Sequence, residues 1–334
     1  MKNDEIMVSI HCVAYNHAKY IRKTLDGFLK QRTNFKFEVL IHDDASTDNT
    51  QEIIKEYTEK YPDIFKPIYQ SENQYSKGIR VAYAYNFPRI AGKYSAFCDG
   101  DDYWNDEYKL QTQYEILEKH KECSMCVHSA QIVSEKEEKK VGIVPEKNIS
   151  EGIINAEDYL RYELIEGWVA QASSYFIRSQ YIKEYIDEKP EFCRNMLVGD
   201  FPLVLYMLTK GNVYFLNKEM SCYRSGGQGS YRNRRQKDVF FQMKHLFTLI
   251  EGIREYNKYT NGKFESVIKT FIVIQLEKIM IFEKQIVQEY EPFYLAEVYC
   301  TGNQTLHKRI SCFIRKNFPH LYKLLLRGYE KIRN

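Results

Sequence analysis

The sequence predicts an α/β protein with a Rossmann-like, mainly parallel central sheet and a helical appendage on its C-terminal side. Strand-like apolar segments alternate with helix-like segments four times in the first hundred residues, which is typical of parallel strands joined by helices. Two of those strands end in acidic residues, and open α/β sheets bind ligands at the carboxyl ends of their strands. Beyond residue 232 the pattern is mostly helical, which predicts the appendage.

The first two strand–helix pairs are read from hydrophobic periodicity. Met7–Ala14 predicts a strand, and the apolar residues at about 18–30 recur on one face of a helix. Phe37–Ile41 predicts a second buried strand that ends in two aspartates. A second helix follows, and we expect Ser46 and Asp48 to cap its first turn.

The next two pairs are less regular. Pro67–Tyr69 predicts a third strand, and residues 78–90 predict a helix that Pro88 interrupts near its end. The aromatic and alternating segment Tyr94–Cys98 predicts a fourth, buried strand. Together these segments predict a parallel sheet with helices on both faces.

Three aspartates, Asp99, Asp101 and Asp102, follow the fourth strand within four positions. Carboxylates this close raise one another's pKa unless a cation relieves their repulsion. Mn2+ and Mg2+ suit such oxygen ligands, and proteins hold Mg2+ with one or two carboxylates plus substrate phosphates. The cluster indicates a divalent metal that binds a diphosphate, although alone it is equally compatible with an acidic turn that caps the next helix.

The common phosphate-binding motifs are absent from the sequence. Neither Gly-x-Gly-x-x-Gly nor a phosphate-loop lysine follows any predicted strand. A nucleotide bound at this sheet edge would therefore need a metal to neutralise its phosphates.

Composition sets the outer limits. The 334 residues can form one large domain with an appendage, and 44% hydrophobic with 28% charged residues is ordinary for a soluble protein. No stretch reaches the roughly 18 apolar residues of a membrane span. The N-terminus runs directly into the first strand, so no secretory signal is expected. Eight scattered cysteines then predict reduced thiols in a cytoplasm.

Three ordered motifs together resemble the family 2 glycosyltransferases. They are Ala14–Asn16 after the first strand, Asp43–Asp48 after the second, and Phe97–Asp102 around the fourth. The resemblance covers about residues 6–110 and continues more weakly to about 235. It implies the A-type glycosyltransferase (GT-A) fold and a nucleotide-sugar donor.

The resemblance also implies a domain organisation. Residues 1–232 are expected to form the catalytic domain, with the nucleotide sugar bound by about 1–110 and the acceptor by about 111–232. Residues 233–304 are then a helical extension, and 305–334 form a basic amphipathic tail.

Roles in donor binding follow from the resemblance. Tyr15 and Asp44 are expected to hold the base, usually uracil, because a tyrosine ring can lie against the base and a carboxylate can accept its imide N–H. Guanine also offers an N–H, so GDP-sugars remain open. Asp99 and Asp101 are expected to form the Asp-x-Asp that contacts ribose and a Mn2+ or Mg2+ ion, with Asp102 as an adjacent ligand.

The chain departs from the family pattern at two donor-site positions. Val13 stands where the family often has proline, two residues before the tyrosine, and we assign it to the nucleotide site. Tyr85 stands where an arginine is usual, so Arg80 or Arg89 is expected to supply the phosphate contact.

A glycine-rich loop follows at Tyr223–Ser230. Family members often close such a loop over the donor phosphates, so Arg224 and Ser230 are expected to serve as lid residues. The loop lacks the histidine that is common in the family. A plain linker to the following helices is the alternative.

The acceptor half contains two further candidates. Trp168–Ile177 predicts a strand, and Trp168 is assigned to stacking on an acceptor sugar, with a core position as the alternative. Gly199-Asp200 resembles the family segment that opens a helix and supplies the catalytic base. Asp200 would accept the proton of the attacking hydroxyl, whereas without the resemblance an ordinary helix cap is an even alternative.

The last thirty residues are strongly basic. Eight Lys or Arg residues against Glu330 give 305–334 a charge of +7, so the remainder carries −4 of the total +3. Apolar residues recur among them at helical spacing, which suits an anionic membrane surface or packing against the catalytic domain. Nucleic acid is not expected as a partner, because the rest of the chain is net acidic and has no binding motif.

These expectations combine into a metal-dependent, inverting glycosyltransferase that uses a nucleotide sugar, with UDP favoured. By resemblance, the acceptor is a saccharide on a lipid carrier used for surface polysaccharide, and the enzyme is cytoplasmic or peripheral at the inner face of the membrane. One alternative is a catalytically silent nucleotide- or glycan-binding module. The other is a sugar-phosphate nucleotidyltransferase, which is expected to show a Gly-rich, basic signature after the first strand that this sequence lacks.

Overall fold

The computed structural model describes residues 5–136, 138–194, 196, 199–226, 239–275 and 278. The chain divides into two compact units, residues 1–193 with 198–228, and residues 194–197 with 229–334. Ser230 and the basic tail 305–334 lie outside the described residues.

The first unit alternates strands and helices in its N-terminal half. The strands are β1 (Ile6–Ala14), β2 (Lys36–Asp43), β3 (Phe65–Tyr69), β4 (Tyr94–Phe97), β5 (Tyr103–Trp104), β6 (Cys123–Ser134), β7 (Lys140–Val144), β8 (Gly152–Ile154), β9 (Phe176–Arg178) and β10 (Asn212–Ser225). The helices are α1 (Ile21–Leu29), α2 (Thr50–Lys60), α3 (Lys109–Lys119), α4 (Ala156–Arg161), α5 (Ser179–Glu188) and α6 (Phe201–Lys210).

All ten strands form one sheet. Its order is β3-β2-β1-β4-β9-β6-β10-β5, with β7 beside β6 and β8 beside β10. Strands β3, β2, β1 and β4 are mutually parallel, β9 runs antiparallel to both neighbours, and β6 and β10 are parallel. The predicted α/β fold with a mainly parallel sheet is confirmed.

The core lies between β1, β2, β4 and the helices packed on them. Val8 and Ile10 of β1 are fully buried, as are Leu25 and Phe28 on the inward face of α1. Burying each such side chain contributes about 1.5–3 kcal/mol, so the apolar periodicity that predicted these elements also stabilises their packing.

The α-helix predicted at residues 78–90 is wrong, because this segment contains two short turns of other helix types. The chain forms a π-helical turn at Ala82–Asn86 and a 3-10 turn at Phe87–Arg89. Pro88 has no N–H for an α-helical bond. The buried Asn86 side chain also donates to the carbonyl oxygens of Cys12 (3.3 Å) and Leu40 (3.0 Å), which ties this segment to β1 and β2.

The strand predicted at Trp168–Ile177 is largely wrong. Only Phe176–Arg178 is a strand, and Ala172–Ser174 form a 3-10 turn. The Gln171 side chain accepts the Ser173 N–H, and such local bonds to the backbone compete with strand pairing.

The described part of the second unit is helical, as predicted for the segment after residue 232. Helix α7 spans Val239–Tyr259, and residues 265–275 are also helical. Tyr256 and Phe264 stack with ring centroids 5.7 Å apart, beside the buried Val267 and Phe271. Within the described residues, we find no helix with the length and apolarity needed to cross a bilayer.

Candidate functional site

The carboxyl end of β1 brings two acidic segments together. The Asp44 N–H donates to the Ala14 carbonyl at 2.9 Å, and the Gly100 N–H donates to the Val13 carbonyl at 2.9 Å. Asp44 and the turn that carries the Asp-x-Asp are therefore bonded to adjacent residues of the same strand end. The acids predicted from separate strands meet at one edge of the sheet.

Asp44 is buried beneath the loop that follows β3. Its side chain is only 2% exposed, and its two carboxylate oxygens accept the backbone N–H groups of Gln74 (2.8 Å) and Tyr75 (3.0 Å). Its Oδ1 also lies 3.4 Å from His42 Nε2, so Oδ2 is the oxygen that keeps capacity to accept a ligand N–H. Tyr15 is 43% exposed and Tyr75 is 69% exposed. Tyr75 donates its backbone N–H to Asp44, and Tyr15 follows Ala14, whose carbonyl accepts the Asp44 N–H. Two accessible aromatic rings are therefore carried by segments that are hydrogen-bonded to Asp44.

Sequence reasoning missed Tyr75. The residue is 31 positions from Asp44, and no local pattern links the two. The signal available in the sequence was the polar run Asn73-Gln74-Tyr75 after β3, because a loop after a parallel strand returns to the ligand edge.

The loops after β1 and β2 are cross-linked. The N-cap residue of α2 is Asn49, so the cap predicted at Ser46 or Asp48 is wrong. The Asp48 side chain accepts the Thr50 N–H at 3.0 Å, and also the Ala18 N–H at 3.0 Å from the other loop. The Ser46 hydroxyl accepts the Asn16 N–H at 2.9 Å. Ser46 and Asp48 therefore hold the Tyr15 loop against the loop that carries Asp44.

The Asp-x-Asp turn is shaped by Gly100. A Cβ at this position would lie 2.8 Å from His17 Nδ1 and 2.9 Å from Ile21 Cδ1, so any larger residue would have to displace these two side chains. The Val13 N–H donates to the Asp99 carboxylate. Val13 thus contacts Asp99 through its amide and the next residue of the turn, Gly100, through its carbonyl.

Asp99 carries the electrostatic signature of the site. Part of its surface is exposed to solvent. The protein around the carboxyl group nevertheless excludes much of its hydration water, which raises the pKa of Asp99 to about 7. The negative charges of Asp101 and then Asp200 raise that pKa further. Asp200, a hundred positions away in the chain, therefore lies close enough to repel Asp99.

Both carboxylate oxygens of Asp102 accept hydrogen bonds from other residues of the protein. The residue is buried, and its Oδ1 and Oδ2 accept the Arg224 N–H at 2.9 Å and the Gln171 side-chain N–H at 3.0 Å. Burial and the neighbouring Asp101 raise its pKa well above the usual value. Of the two adjacent acids, the partly exposed Asp101 is thus the more available ligand.

The fit to a divalent metal rests on Asp99 and Asp101. No group of three or more His, Cys, Asp or Glu residues that could hold a metal occurs in the described residues. A Mg2+-type site needs only one or two carboxylates when substrate phosphates complete it. The mutual repulsion that raises the Asp99 pKa is what a cation between these groups would relieve, so the residues present fit such an ion.

Arg224 is placed beside the acids. Its guanidinium donates to the Asp101 carbonyl and lies 4.8 Å from the Tyr20 ring centroid and 4.7 Å from that of Tyr103. The residue is 7% exposed. Arg224 therefore secures the Asp-x-Asp turn to the end of β10.

The other two arginine candidates, Arg89 and Arg80, differ in their hydrogen-bond partners. Arg89 uses its guanidinium for the Tyr85 carbonyl (3.0 Å), the Lys66 carbonyl (3.0 Å) and the Asn86 side chain (2.9 Å), so it stabilises the fold around β2 and β3. Arg80 donates to the Cys193 carbonyl and is partly exposed. Arg80 is the better placed of the two for a ligand contact.

Asp200 precedes α6 at its N-cap position. Its pKa is raised by burial, while hydrogen bonds from its own backbone, from the Phe201 backbone and from the Tyr175 hydroxyl oppose that rise. The predicted base candidate is therefore on a helix N-terminus and next to the Asp-x-Asp.

A second carboxyl group near Asp200 was not predicted. Glu163 lies in a π-helical turn, Tyr162–Glu166, and its Oε2 accepts the Val169 N–H at 3.2 Å. Burial raises its pKa to about 8, and the Asp200 charge adds to the rise. Nothing in the local sequence indicates that a glutamate after a short helix would come close enough to Asp200 for its pKa to be affected.

Trp168 lies just beyond this turn. It is 37% exposed and makes an edge-to-face contact with Tyr223, with ring centroids 5.3 Å apart. Gly167, with φ at 124°, separates it from the π-helical turn. Trp168 is thus an accessible aromatic residue rather than a core one.

Comparisons with known proteins agree with this arrangement. The family model described as Glycosyl transferase family 2 matches residues 9–184. The chain is 33% identical to the uncharacterized protein Mb1547 of Mycobacterium bovis over 74% of this chain and 70% of that protein. It is 35% identical, over 34% of this chain and 43% of that protein, to the Escherichia coli UDP-Glc:alpha-D-GlcNAc-diphosphoundecaprenol beta-1,3-glucosyltransferase WfaP.

Two solved structures share the fold. Residues 1–349 of Staphylococcus aureus TarS in complex with UDP align with a TM-score of 0.62 at 16% identity, over 98% of this chain and 91% of that one. The mannosyltransferase PcManGT of Pyrobaculum calidifontis in complex with GDP-Man and Mn2+ aligns with a TM-score of 0.53 at 14% identity, over 99% and 88%.

Proposed function

Because the chain belongs to glycosyl transferase family 2 and has the GT-A fold, we propose that it moves a sugar from a UDP-sugar to a saccharide acceptor with inversion. One observation carries this proposal: Asp44 and the Asp-x-Asp turn are bonded to adjacent residues of β1, and Asp200 is close enough to raise the pKa of Asp99. This arrangement supports a nucleotide site and a general base that act on the same substrate complex.

The donor would bind along the edge of β1. Its uracil would lie against Tyr15 and Tyr75, with the imide N–H donated to Asp44. Asp99 would contact the ribose, with Val13 as the residue that orients it, and Asp101 would hold the metal. The UDP bound in the structurally similar TarS supports this nucleotide, and its match is to the fold alone.

A divalent cation, Mn2+ or Mg2+, would be held by Asp101 with Asp99 nearby and by the donor diphosphate. When bound, the ion supplies charge stabilisation for the departing diphosphate. The Mn2+ in the structurally similar PcManGT supports this assignment. Asp101 and Asp102 are both ligand candidates from the sequence, and the protein hydrogen bonds that both oxygens of Asp102 accept support Asp101 as the ligand.

Asp200 would act as the general base. It takes the proton of the acceptor hydroxyl while that oxygen forms a bond to the anomeric carbon and the bond to the diphosphate breaks. One displacement with one base inverts the anomeric centre. A base of this kind contributes about 10²–10⁴ in rate. The raised pKa of Asp200 suits the task, since burial makes its carboxylate a stronger proton acceptor.

The acceptor would be a saccharide carried on a lipid diphosphate and used for surface polysaccharide. The lipid-linked acceptor in the name of WfaP supports this class, and that relative matches 34% of the chain. Trp168 would present its face to the acceptor sugar, and Arg80 and Arg224 would lie toward the donor phosphates. Ser230 stays a lid candidate from the sequence alone.

The proposal is tested with two variants. Asp101→Asn should lose Mn2+-dependent UDP binding by calorimetry, because it removes a ligand charge. Asp200→Asn should bind UDP as the unchanged protein does but lose transfer by a factor of about 10²–10⁴. Transfer is measured from UDP-glucose and UDP-N-acetylglucosamine to GlcNAc-diphosphoundecaprenol and to simple aryl glycosides.

Asp63→Asn is the matched control, since Asp63 is exposed in the loop before β3. Full transfer by Asp200→Asn would remove Asp200 as the base. UDP binding without any transfer in the unchanged protein, across all donors and acceptors, would favour the catalytically silent module instead.

A further inference from the structure

The two carboxylate oxygens of Asp44 have different numbers of hydrogen-bond partners. Oδ1 accepts the Gln74 N–H at 2.8 Å and lies 3.4 Å from Nε2 of the buried His42. Within the described residues, Oδ2 accepts the Tyr75 N–H alone, at 3.0 Å. A carboxylate oxygen accepts about two hydrogen bonds, so one acceptor position, on Oδ2, is left for a ligand.

The contact between His42 and Asp44 determines which imidazole nitrogen carries a proton. An ionised carboxylate has no hydrogen to donate, so the ring nitrogen that faces it, Nε2, is the donor. Within the described residues, the other ring nitrogen, Nδ1, is buried without a hydrogen-bond partner, and a proton there would leave an unpaired N–H. His42 therefore donates from Nε2 to Asp44 Oδ1.

Two other side chains hold His42 in this position. Its ring packs on the Tyr85 ring, with centroids 4.7 Å apart, and the Tyr85 hydroxyl donates to the Gln74 side chain at 3.2 Å. Gln74 in turn donates its backbone N–H to Asp44 Oδ1. These contacts form a closed set around Oδ1, so the donor from His42 is kept in place by its neighbours.

We propose that His42 makes the nucleotide site selective for uracil over guanine, because it occupies the second acceptor position of Asp44 Oδ1. The inference rests on the proposed function, in which Asp44 binds the base of the donor. It decides between UDP-sugars and GDP-sugars, a choice that the sequence leaves open.

The two bases present different donors to a carboxylate. Uracil has a single N–H, at N3, and the free position on Oδ2 is sufficient for it. Guanine has two adjacent donors, N1–H and the 2-amino group, which need two acceptors. With Oδ1 occupied, the 2-amino group has no partner on Asp44, and water cannot replace one because this side chain is only 2% exposed. A donor that loses its water without gaining a partner weakens binding.

The first experiment counts the open acceptors with matched nucleotides in calorimetry, in the presence of Mn2+. GDP and inosine diphosphate differ only in the 2-amino group, so they compare two donors with one at the same base size. We expect UDP to bind at least about 10-fold more tightly than GDP, and inosine diphosphate to bind at least as tightly as GDP. Affinities too weak for direct titration are measured by competition with UDP. The inference is overturned if GDP binds more tightly than inosine diphosphate or as tightly as UDP.

The second experiment removes the donor from His42. Phenylalanine keeps a ring that can pack on Tyr85 but has no N–H, so His42→Phe should reduce the preference for UDP over GDP by about 10-fold. His42→Gln retains a side-chain N–H and should keep the preference. His11→Phe is the matched control and should also keep it. His11 is buried in the adjacent strand β1, and within the described residues neither of its ring nitrogens has a hydrogen-bond partner.

A measurement on the unchanged protein covers the case in which His42→Phe does not fold. Selective ¹⁵N labelling of histidine reports by NMR which ring nitrogen carries the proton, and the His42 signal is identified by its absence from His42→Gln. We expect the proton on Nε2. A proton on Nδ1 alone would leave Oδ1 with an open acceptor position and would overturn the inference.

The outcomes separate this inference from the proposed function. If the preference for UDP over GDP is the same in His42→Phe as in the unchanged protein, His42 does not set it, whereas UDP binding still supports the proposed function. An unchanged protein that binds neither UDP nor GDP overturns both.

Discussion

Asp101 and Asp102 are adjacent in the chain but have different surroundings. Asp102 is buried and both its oxygens accept protein hydrogen bonds, whereas Asp101 is partly exposed. Asp44 is a third case, since it organises a loop and its Oδ2 retains capacity to accept a ligand N–H. Residue type therefore predicts that an acid lies in the site, and the hydrogen-bond partners decide what that acid does.

At this scale, the two exposed tyrosines give a direct prediction. Tyr15→Ala and Tyr75→Ala should each weaken UDP binding about 5- to 150-fold in calorimetry, because stacking of a base on an aromatic ring is worth roughly 1–3 kcal/mol. Tyr108→Ala is the control, since Tyr108 is equally exposed, at 45%, and lies outside the nucleotide site. Unchanged UDP affinity in Tyr75→Ala would place the base elsewhere.

Between elements, the site is held together by bonds from strand ends to distant segments. The buried Asp102 connects the turn after β4 with β10, through the Arg224 N–H, and with the segment before β9, through Gln171. The Arg224 side chain adds a second bond between β10 and this turn by donating to the Asp101 carbonyl. The turn after β4, strand β10 and the segment before β9 are thus linked through one carboxylate.

Removing that carboxylate should destabilise the protein without any ligand present. Asp102→Ala leaves two buried N–H donors unpaired, and each such loss costs about 1–3 kcal/mol. We expect the free energy of unfolding to fall by about 2–5 kcal/mol in metal-free urea titrations. Asp63→Ala, at an exposed site, should change it by less than about 0.5 kcal/mol. A stable Asp102→Ala variant that fails only to bind Mn2+ would instead restore Asp102 as a metal ligand.

For the whole molecule, the chain divides into two compact units, and its C-terminal segment is basic. Residues 305–334 carry +7 against −4 for the rest of the chain. Charge separated in this way favours adsorption to an anionic surface, at about 1 kcal/mol for each basic residue near the membrane.

Deletion of residues 305–334 tests the predicted membrane contact. The shortened chain should float with liposomes that contain anionic lipid much less than the full chain does, and added salt should release the full chain. Liposomes of neutral lipid serve as the control. Equal flotation of both chains would indicate that the segment packs on the protein instead.

Much of the fold followed from local sequence. Strands β1, β2 and β4 and helices α1 and α2 were predicted because their apolar periodicity and flanking polar residues are local signals. The predictions for two segments were wrong, and for the same reason. Around Pro88 and at Ala172–Ser174, side chains bond to the backbone in preference to a helix or a strand.

The sequence by itself determined the α/β architecture and the acids at the ends of β2 and β4, because strand periodicity and the residues after each strand are written within a few positions. Only the tertiary structure decided that Asp102 accepts its hydrogen bonds from within the protein, that the Tyr75 N–H donates to Asp44, and that Asp200 is close enough to raise the pKa of Glu163. Those relations depend on burial and on contacts between residues 31 to 122 positions apart, and no local pattern encodes them. Electrostatic role is a property of the assembled environment, since water removal and neighbouring charge set each pKa.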